Sequence, residues 1–286
     1  MKRLIATALA AAALVAAAPA AEAQTRVTYK SAKSTSSYYQ MAVQIAEAMK
    51  AGSDGGISVT VEESQGSVQN VMEVRARGGD YVFTTPPSLV RLAQGGKAMF
   101  EGKGDPKFDD IRALFPIPSL TMHFVIREDA GVESFADLEG KKLLLGKGSF
   151  GAREGAKYLG LFGLEGKVEL ADVELSNAVP ALKNGQIDGF VTAGSFPAPN
   201  VIEAAASVGV DVLSLTDAQV AETKRTRLVI PAGTYAGQEA DITTTSLPVV
   251  AFTTTAMDDD TAYALTKTFW EQKAAMGEGA AWWNGV

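Results

Sequence analysis

Short runs with hydrophobic residues at every second position, or hydrophobic throughout, recur along the chain, and Ala-rich stretches with apolar residues every third or fourth position follow them. The first pattern fits one face of a strand and the second one face of a helix. Strands are expected at 27–31, 57–62, 81–84, 123–127, 142–145, 168–170, 189–192, 210–214 and 249–253. Helices are expected at 38–50, 68–77, 134–138, 152–162, 178–184, 199–206 and 260–277. Alternation of this kind, with glycine at the joints, predicts an α/β protein with largely parallel sheets and a ligand site at the carboxyl ends of the strands.

Two stretches interrupt the alternation. Phe115–Ser119 carries Pro116 and Pro118 and reads as an extended passage between domains, and Leu228–Thr245 has neither periodicity. With these as crossings, the first lobe comprises residues 24–120 plus 226–286 and the second lobe residues 121–225. A cleft between the two α/β lobes is then the expected place for a small ligand.

At the start of the chain, Lys2 and Arg3 precede an apolar run to Ala20, and Ala21-Glu22-Ala23 fits a small-x-small cleavage site. Residues 1–23 therefore read as a signal peptide cut after Ala23, giving a periplasmic protein. The rival reading is a membrane anchor, but alanine is only weakly hydrophobic. Lys2-Arg3 is not a twin-arginine pair, so export of an unfolded chain without a preloaded cofactor is expected. No later stretch is long and apolar enough to span a bilayer.

Composition excludes several chemistries. With no cysteine and a single histidine, a Cys nucleophile is impossible and His/Cys metal sites cannot assemble. His123 lies in a strand-like run and reads as a packed core or lobe-edge residue. The absence of cysteine also means that burial alone must hold an exported fold together. A net charge of −7 argues against nucleic-acid or anionic-membrane partners. Asp258–Asp260 reads as an acidic helix start rather than a calcium loop.

Three strand-to-helix joints are small, hydroxyl-rich and poor in acids: Lys33–Tyr39, Gln65–Asn70 and Gly146–Gly151. Ordinary capping explains any one of them. If the sheets are parallel, all three converge on the cleft, where helix N-termini with bare N–H groups make an anion site. The second is the most telling, because Asn70 stands where a capping acid is expected. Lys33 adds a possible cation, and Tyr38 and Tyr39 a pocket wall with a phenol. Gly146–Gly151 also fits G-x-G-x-x-G, with Glu169 and Asp172 downstream, so nucleotide binding is an alternative. It is not a phosphate loop, since Ala152-Arg153 follows, nor G-x-S-x-G, since Lys147 fills the first glycine slot.

An ordered set of motifs resembles the TAXI family, the receptor subunits of tripartite ATP-independent periplasmic (TRAP) transporters. It comprises Tyr38-Tyr39 after a small-residue loop, Gly66-Ser67 with Asn70, Phe135–Lys141, Gly146–Gly151, Leu182–Gly189, Ala193–Pro199 and Pro231–Gln238. The resemblance implies a type II periplasmic binding protein: two lobes that close on a small organic acid, glutamate-like in some members, and deliver it to a membrane permease. A fused permease subunit as partner, a monomeric state, no catalysis and no cofactor go with it. By position, Gly66, Ser67 and Asn70 would grip a ligand carboxylate with Tyr38 or Tyr39, Ser149, Phe150 and Gly151 would face them from the second lobe, and Gly194, Ser195 and Phe196 would border the cleft. The chain departs from the family at Lys33–Ser37, where glycines are usual, at Ser149-Phe150-Gly151 in place of Gly-Ser-Gly, and at Thr84–Pro87, where Gln-Ser-Asp is usual. With Thr85 in that stretch an acid is lost that would pair with a ligand amine, so a carboxylate without an ammonium group is expected, and Phe150 suits an apolar tail. A sensor subunit that presents its solute to a membrane kinase is the first alternative. An exported hydrolase or nucleotide-dependent enzyme using Ser149 is the second.

Overall fold

The computed structural model describes residues 24–286; the leader expected at residues 1–23 lies outside them. In the first lobe, β1 (Thr25–Lys30) buries Val27 and Tyr29 on alternate positions and pairs in parallel with β2 (Ile57–Glu62) and β3 (Tyr81–Thr85). Between them run α1 (Ser37–Gly52), α2 (Ser67–Glu73) and, after β3, α3 (Pro87–Gln94). The helix α1 sits on the sheet through Met41, Ala42, Ile45, Ala48 and Met49, the apolar stripe that its periodicity foretold. In the second lobe, β5 (Lys142–Leu144) pairs in parallel with β6 (Glu169–Ala171) and β7 (Gly189–Gly194), with α4 (Phe150–Leu161), α5 (Ala178–Lys183) and α6 (Pro199–Val208) as connections.

Two long strands join these parallel units. β4 (Ile111–Arg127) and β10 (Ile242–Thr254) lie side by side antiparallel and run through both lobes, giving the order β2-β1-β3-β10-β4-β7-β5-β6. Two short strands complete the sheet, β8 (Val210–Val212) on β4 and β9 (Thr226–Ile230) on β10. The sheet is therefore mixed at its centre, and parallel pairing is confined to the outer units. Phe115–Ser119, expected as a linker, is the middle of β4. Its prolines fit because β4 pairs with β10 alone until Thr121, where β7 takes up the other edge.

The second boundary also moves. Residues 226–246 belong with the second lobe rather than the first: Ile230, Tyr235 and Ile242 share a buried cluster with Val125, Phe190 and Val201, and β9 pairs only with the first residues of β10. Beyond the register shift between Leu247 and Val249, β10 pairs with β3 of the first lobe at Val250–Phe252. The helix α7 (Asp217–Thr223) precedes β9, and α8 (Asp259–Gly279) follows β10. The α8 residue Phe269 stacks on Phe115 of β4 at 4.1 Å, tying the C-terminal helix to a crossing strand. Periodicity missed α3 and α7. The Pro86-Pro87 pair reads as a breaker although proline is favoured at a helix's first turn, and α7 is too short to display a period.

Candidate functional site

A cavity of about 50 Å³ lies between the lobes, and all three acid-poor joints line it. The first lobe contributes Ser31, Ala32, Lys33, Ser36 and Tyr38, then Gln65, Gly66, Ser67 and Thr84; the second contributes Lys147, Ser149, Phe150, Gly151, Leu175 and Ala193, with Leu120 from β4. Each joint follows the carboxyl end of a parallel strand, which is why one sheet delivers them to one place.

The helix starts differ in how their amides are used. Ser36 caps α1 and Ser149 caps α4, each accepting from the third residue on, Tyr39 and Ala152. The start of α2 has no side-chain cap: Gly66 sits at φ +109°, a conformation closed to other residues, and its added Cβ would meet only open space, so the glycine is there for its backbone. The neutral Gln69 amide takes the place of a capping acid, its Oε1 accepting from Gln65 N–H at 2.7 Å. Among the described residues the Ser67 hydroxyl has no hydrogen-bond partner of its own. None of α1, α2 and α4 has an acid in its first turn.

Surrounding pairs hold these helices still. Lys30, itself buried, reaches both oxygens of Glu73 at 2.7 Å, and Glu73 also accepts from Gln69 and Arg77, so the end of α2 is clamped to β1. The donated hydrogen bonds outweigh burial and hold the Glu73 carboxyl below the usual range, although burial is the largest single influence. In the second lobe Arg225 grips Glu154 of α4 through two bonds of 2.6 and 3.0 Å.

The expected ligand residues fall into two groups. Lys33, Tyr38, Gly66, Ser67, Ser149, Phe150 and Gly151 line the cavity. The others do not. Asn70 is fully buried behind the wall, its Nδ2 donating to Ser31 and Thr84 carbonyls at 2.7 and 2.8 Å, so it positions the ends of β1 and β3. Thr85 is buried with its hydroxyl on Pro86 O, and its neighbour Thr84 takes the cavity position. Tyr39 turns aside, whereas Tyr38 forms the wall and donates its phenol to Pro118 O at 3.1 Å. Burial raises the Tyr38 phenol well above its ordinary pKa, so it stays neutral. Gly194 backs onto Ser37, and Ser195 donates to Ser119 O at 2.7 Å. Ser195 and Phe196 line a separate pocket of about 350 Å³ with Pro118 and Trp282, which shares no residue with the cavity.

Two charges need correction. Lys33 is not a free cation: its Nζ lies 3.1 Å from Glu174 of the opposite lobe. Nor is the first joint free of acids, because Ser34 N–H donates to Glu63 at 2.7 Å. Residue patterns missed Glu174 and Leu175, yet they follow β6 as the other joints follow their strands, and that rule would have found them. His123 is fully buried, with Nδ1 on Thr121 O and Nε2 on the Tyr235 hydroxyl, and burial pushes its pKa down to about 4. Among the described residues there is no cluster of three or more metal-ligating side chains and no helix long and apolar enough to cross a membrane.

Comparison with known proteins agrees with this architecture. The structure of the periplasmic binding protein BugD superposes with a TM-score of 0.60 at 13% identity, covering 87% of this chain and 82% of that one. A TRAP periplasmic solute-binding protein of Actinobacillus succinogenes with bound L-galactonate gives 0.50 at 15% identity, covering 91% and 81%. A mutant of ArgBP from T. maritima gives 0.51 at 14%, covering 91% and 95%. The fold is thus the two-lobed α/β fold of periplasmic solute-binding proteins. A family model matches residues 30–284, nearly the whole of the described structure, and on that match the chain belongs to the NMT1-like family.

Proposed function

We propose that this protein is a periplasmic solute receptor, exported by the leader at residues 1–23, that binds a small organic acid between its lobes and hands it to a TRAP-type membrane permease. It acts as a monomer, without catalysis or cofactor, and the TAXI group is the subfamily its motifs match. The observation that carries this reading is the convergence of three helix starts from two lobes, none with an acid in its first turn, on one enclosed cavity. N–H groups at such starts form short, charge-assisted hydrogen bonds to a carboxylate, and closure excludes the water that would compete.

Size and lining narrow the ligand. A cavity of about 50 Å³ is smaller than the roughly 150 Å³ engineered cavity that takes benzene. The enclosed part of the ligand is therefore a head group of a few heavy atoms. Phe150, Leu120 and Leu175 favour an apolar remainder. Both lysines at the cavity already have carboxylate partners, Lys33 with Glu174 and Lys147 with Asp172, so amides and the Ser67 hydroxyl carry the ligand charge.

The test is a thermal-shift and calorimetric panel of monocarboxylates, dicarboxylates and amino acids, run on the wild type and on Ser67→Asp. A bound ligand at 100 times its dissociation constant stabilises the fold by about 2.7 kcal/mol, a readable shift. Binding of a carboxylate that Ser67→Asp abolishes supports the reading. Unchanged affinity in the variant rejects it.

A further inference from the structure

Of the ion pairs among the described residues, Lys33–Glu174 alone joins the two lobes. Glu174 projects from the segment after β6, and its two oxygens divide between two first-lobe partners: Lys33 Nζ at 3.1 Å and Gln65 Nε2 at 3.0 Å. Both partners sit on joints that line the cavity, and Glu174 is followed directly by Leu175, which lines it from the other side. A second carboxylate, Glu63 of the first lobe, is held by Ser34 N–H and feels both Lys33 and Glu174. Lys33 therefore stands between an acid of its own lobe and an acid of the other.

We propose that Glu174 is a closure latch: it holds the lobes together over the cavity by bonding to Lys33 and Gln65, so that part of the closed population exists before any solute arrives. The idea rests on the reading that the lobes part to admit a ligand. Its logic is that of a pre-existing equilibrium, in which whatever stabilises the closed form raises apparent affinity by raising the competent fraction. The pair is partly exposed, with 24% and 41% of the two side chains accessible, so its effect is modest and sensitive to salt. Losing the lysine does more than losing the glutamate, because Glu63 and Glu174 are then left facing each other across the gap.

The chain has no cysteine, so Glu47→Cys and Glu165→Cys, exposed positions on opposite lobes, accept a pair of spin labels without background. Distances are measured on the full mature chain with no solute added, in low and high salt. The expected result is a short-distance population that falls about three- to fivefold in Glu174→Gln, at the upper end for exposed pairs. It should fall further in Lys33→Glu and return in the double variant Lys33→Glu/Glu174→Lys. High salt should weaken it in the wild type. Identical distance distributions in all variants would overturn the latch, and so would a Lys33→Glu opening that Glu174→Lys fails to reverse. Recovery in the double variant also excludes misfolding as the cause. Since no solute is present, an empty carboxylate panel and a failed latch are separate outcomes.

Discussion

The helices of this protein begin in two different ways. Those whose starts line the cavity, α1, α2 and α4, have no acid in the first turn. Of the helices that start elsewhere, α3, α5 and α6 also lack one, whereas α7 opens with a Thr216–Gln219 capping box and Asp217, and α8 with Asp258 accepting from Thr261 N–H ahead of Asp259 and Asp260. A missing acid is therefore not by itself what sets a cavity-facing start apart; what distinguishes α1, α2 and α4 is that their starts meet at one cavity from two lobes.

An acid placed on the cavity side should cost the most. Ser67→Asp is expected to lower ligand affinity by roughly 100-fold or more, about 2.7 kcal/mol. A carboxylate near a helix N-terminus should at the same time raise the melting temperature slightly. Full binding in that variant would leave the start of α2 without a role in holding the ligand.

The buried pair behind the crossing strands is a control of the opposite kind. Tyr235→Phe removes the hydroxyl that accepts from Ala198 N–H at 2.9 Å and donates to His123 Nε2. It should destabilise the fold by about 1–3 kcal/mol, the cost of orphaned buried groups, and leave affinity alone. In the folded protein His123 stays neutral down to about pH 4, while the unfolded imidazole takes a proton near its ordinary 6.5. Its contribution is therefore complete above about pH 6.5 and is lost as pH falls towards 4, at up to about 1.4 kcal/mol per pH unit. Urea unfolding at pH 7 and pH 4.5 reads this, and His123→Gln should flatten it.

An ordinary cap sets the baseline. Thr216→Ala should cost about 1 kcal/mol, seen as a drop of roughly 2–4 °C in melting temperature, with binding unchanged. The smallest effect concerns how closely the lobes approach. A Cβ on Gly194 would fall 2.6 Å from Ser37 Oγ, a buried hydroxyl without a partner among the described residues. Gly194→Ala should weaken binding several-fold with little change in melting, and Ser37→Ala in the same chain should restore it. If stability falls instead and binding holds, the contact is only packing.

Much of this was legible in the residues. The β2 strand at 57–62 and the stripe on α1 follow directly from period, because burial on one face repeats with the geometry of the element. The three joints were visible as gaps in the ordinary use of capping acids. Other features were not. Nothing local distinguishes Asn70, which seals the wall, from Ser67, which faces the cavity: three residues apart on one helix, they are assigned by the packing of α2 on β1 and β3. Pro116 and Pro118 looked like a linker because proline forbids a ladder bond, and only the open edge of β4 makes a strand possible there.

By itself the sequence determined the alternation of strands and helices, the carboxyl-end location of the joints that line the cavity and the missing acids at three helix starts. All of these depend on contacts within a few residues or on the period of one element. Only the tertiary structure decided that β4 and β10 run unbroken through both lobes, that residues 226–246 pack with the second, and that Lys33 meets Glu174 across the gap. Those outcomes depend on groups far apart in the chain, whose meeting is set by the path of the sheet and by the way one lobe rests against the other.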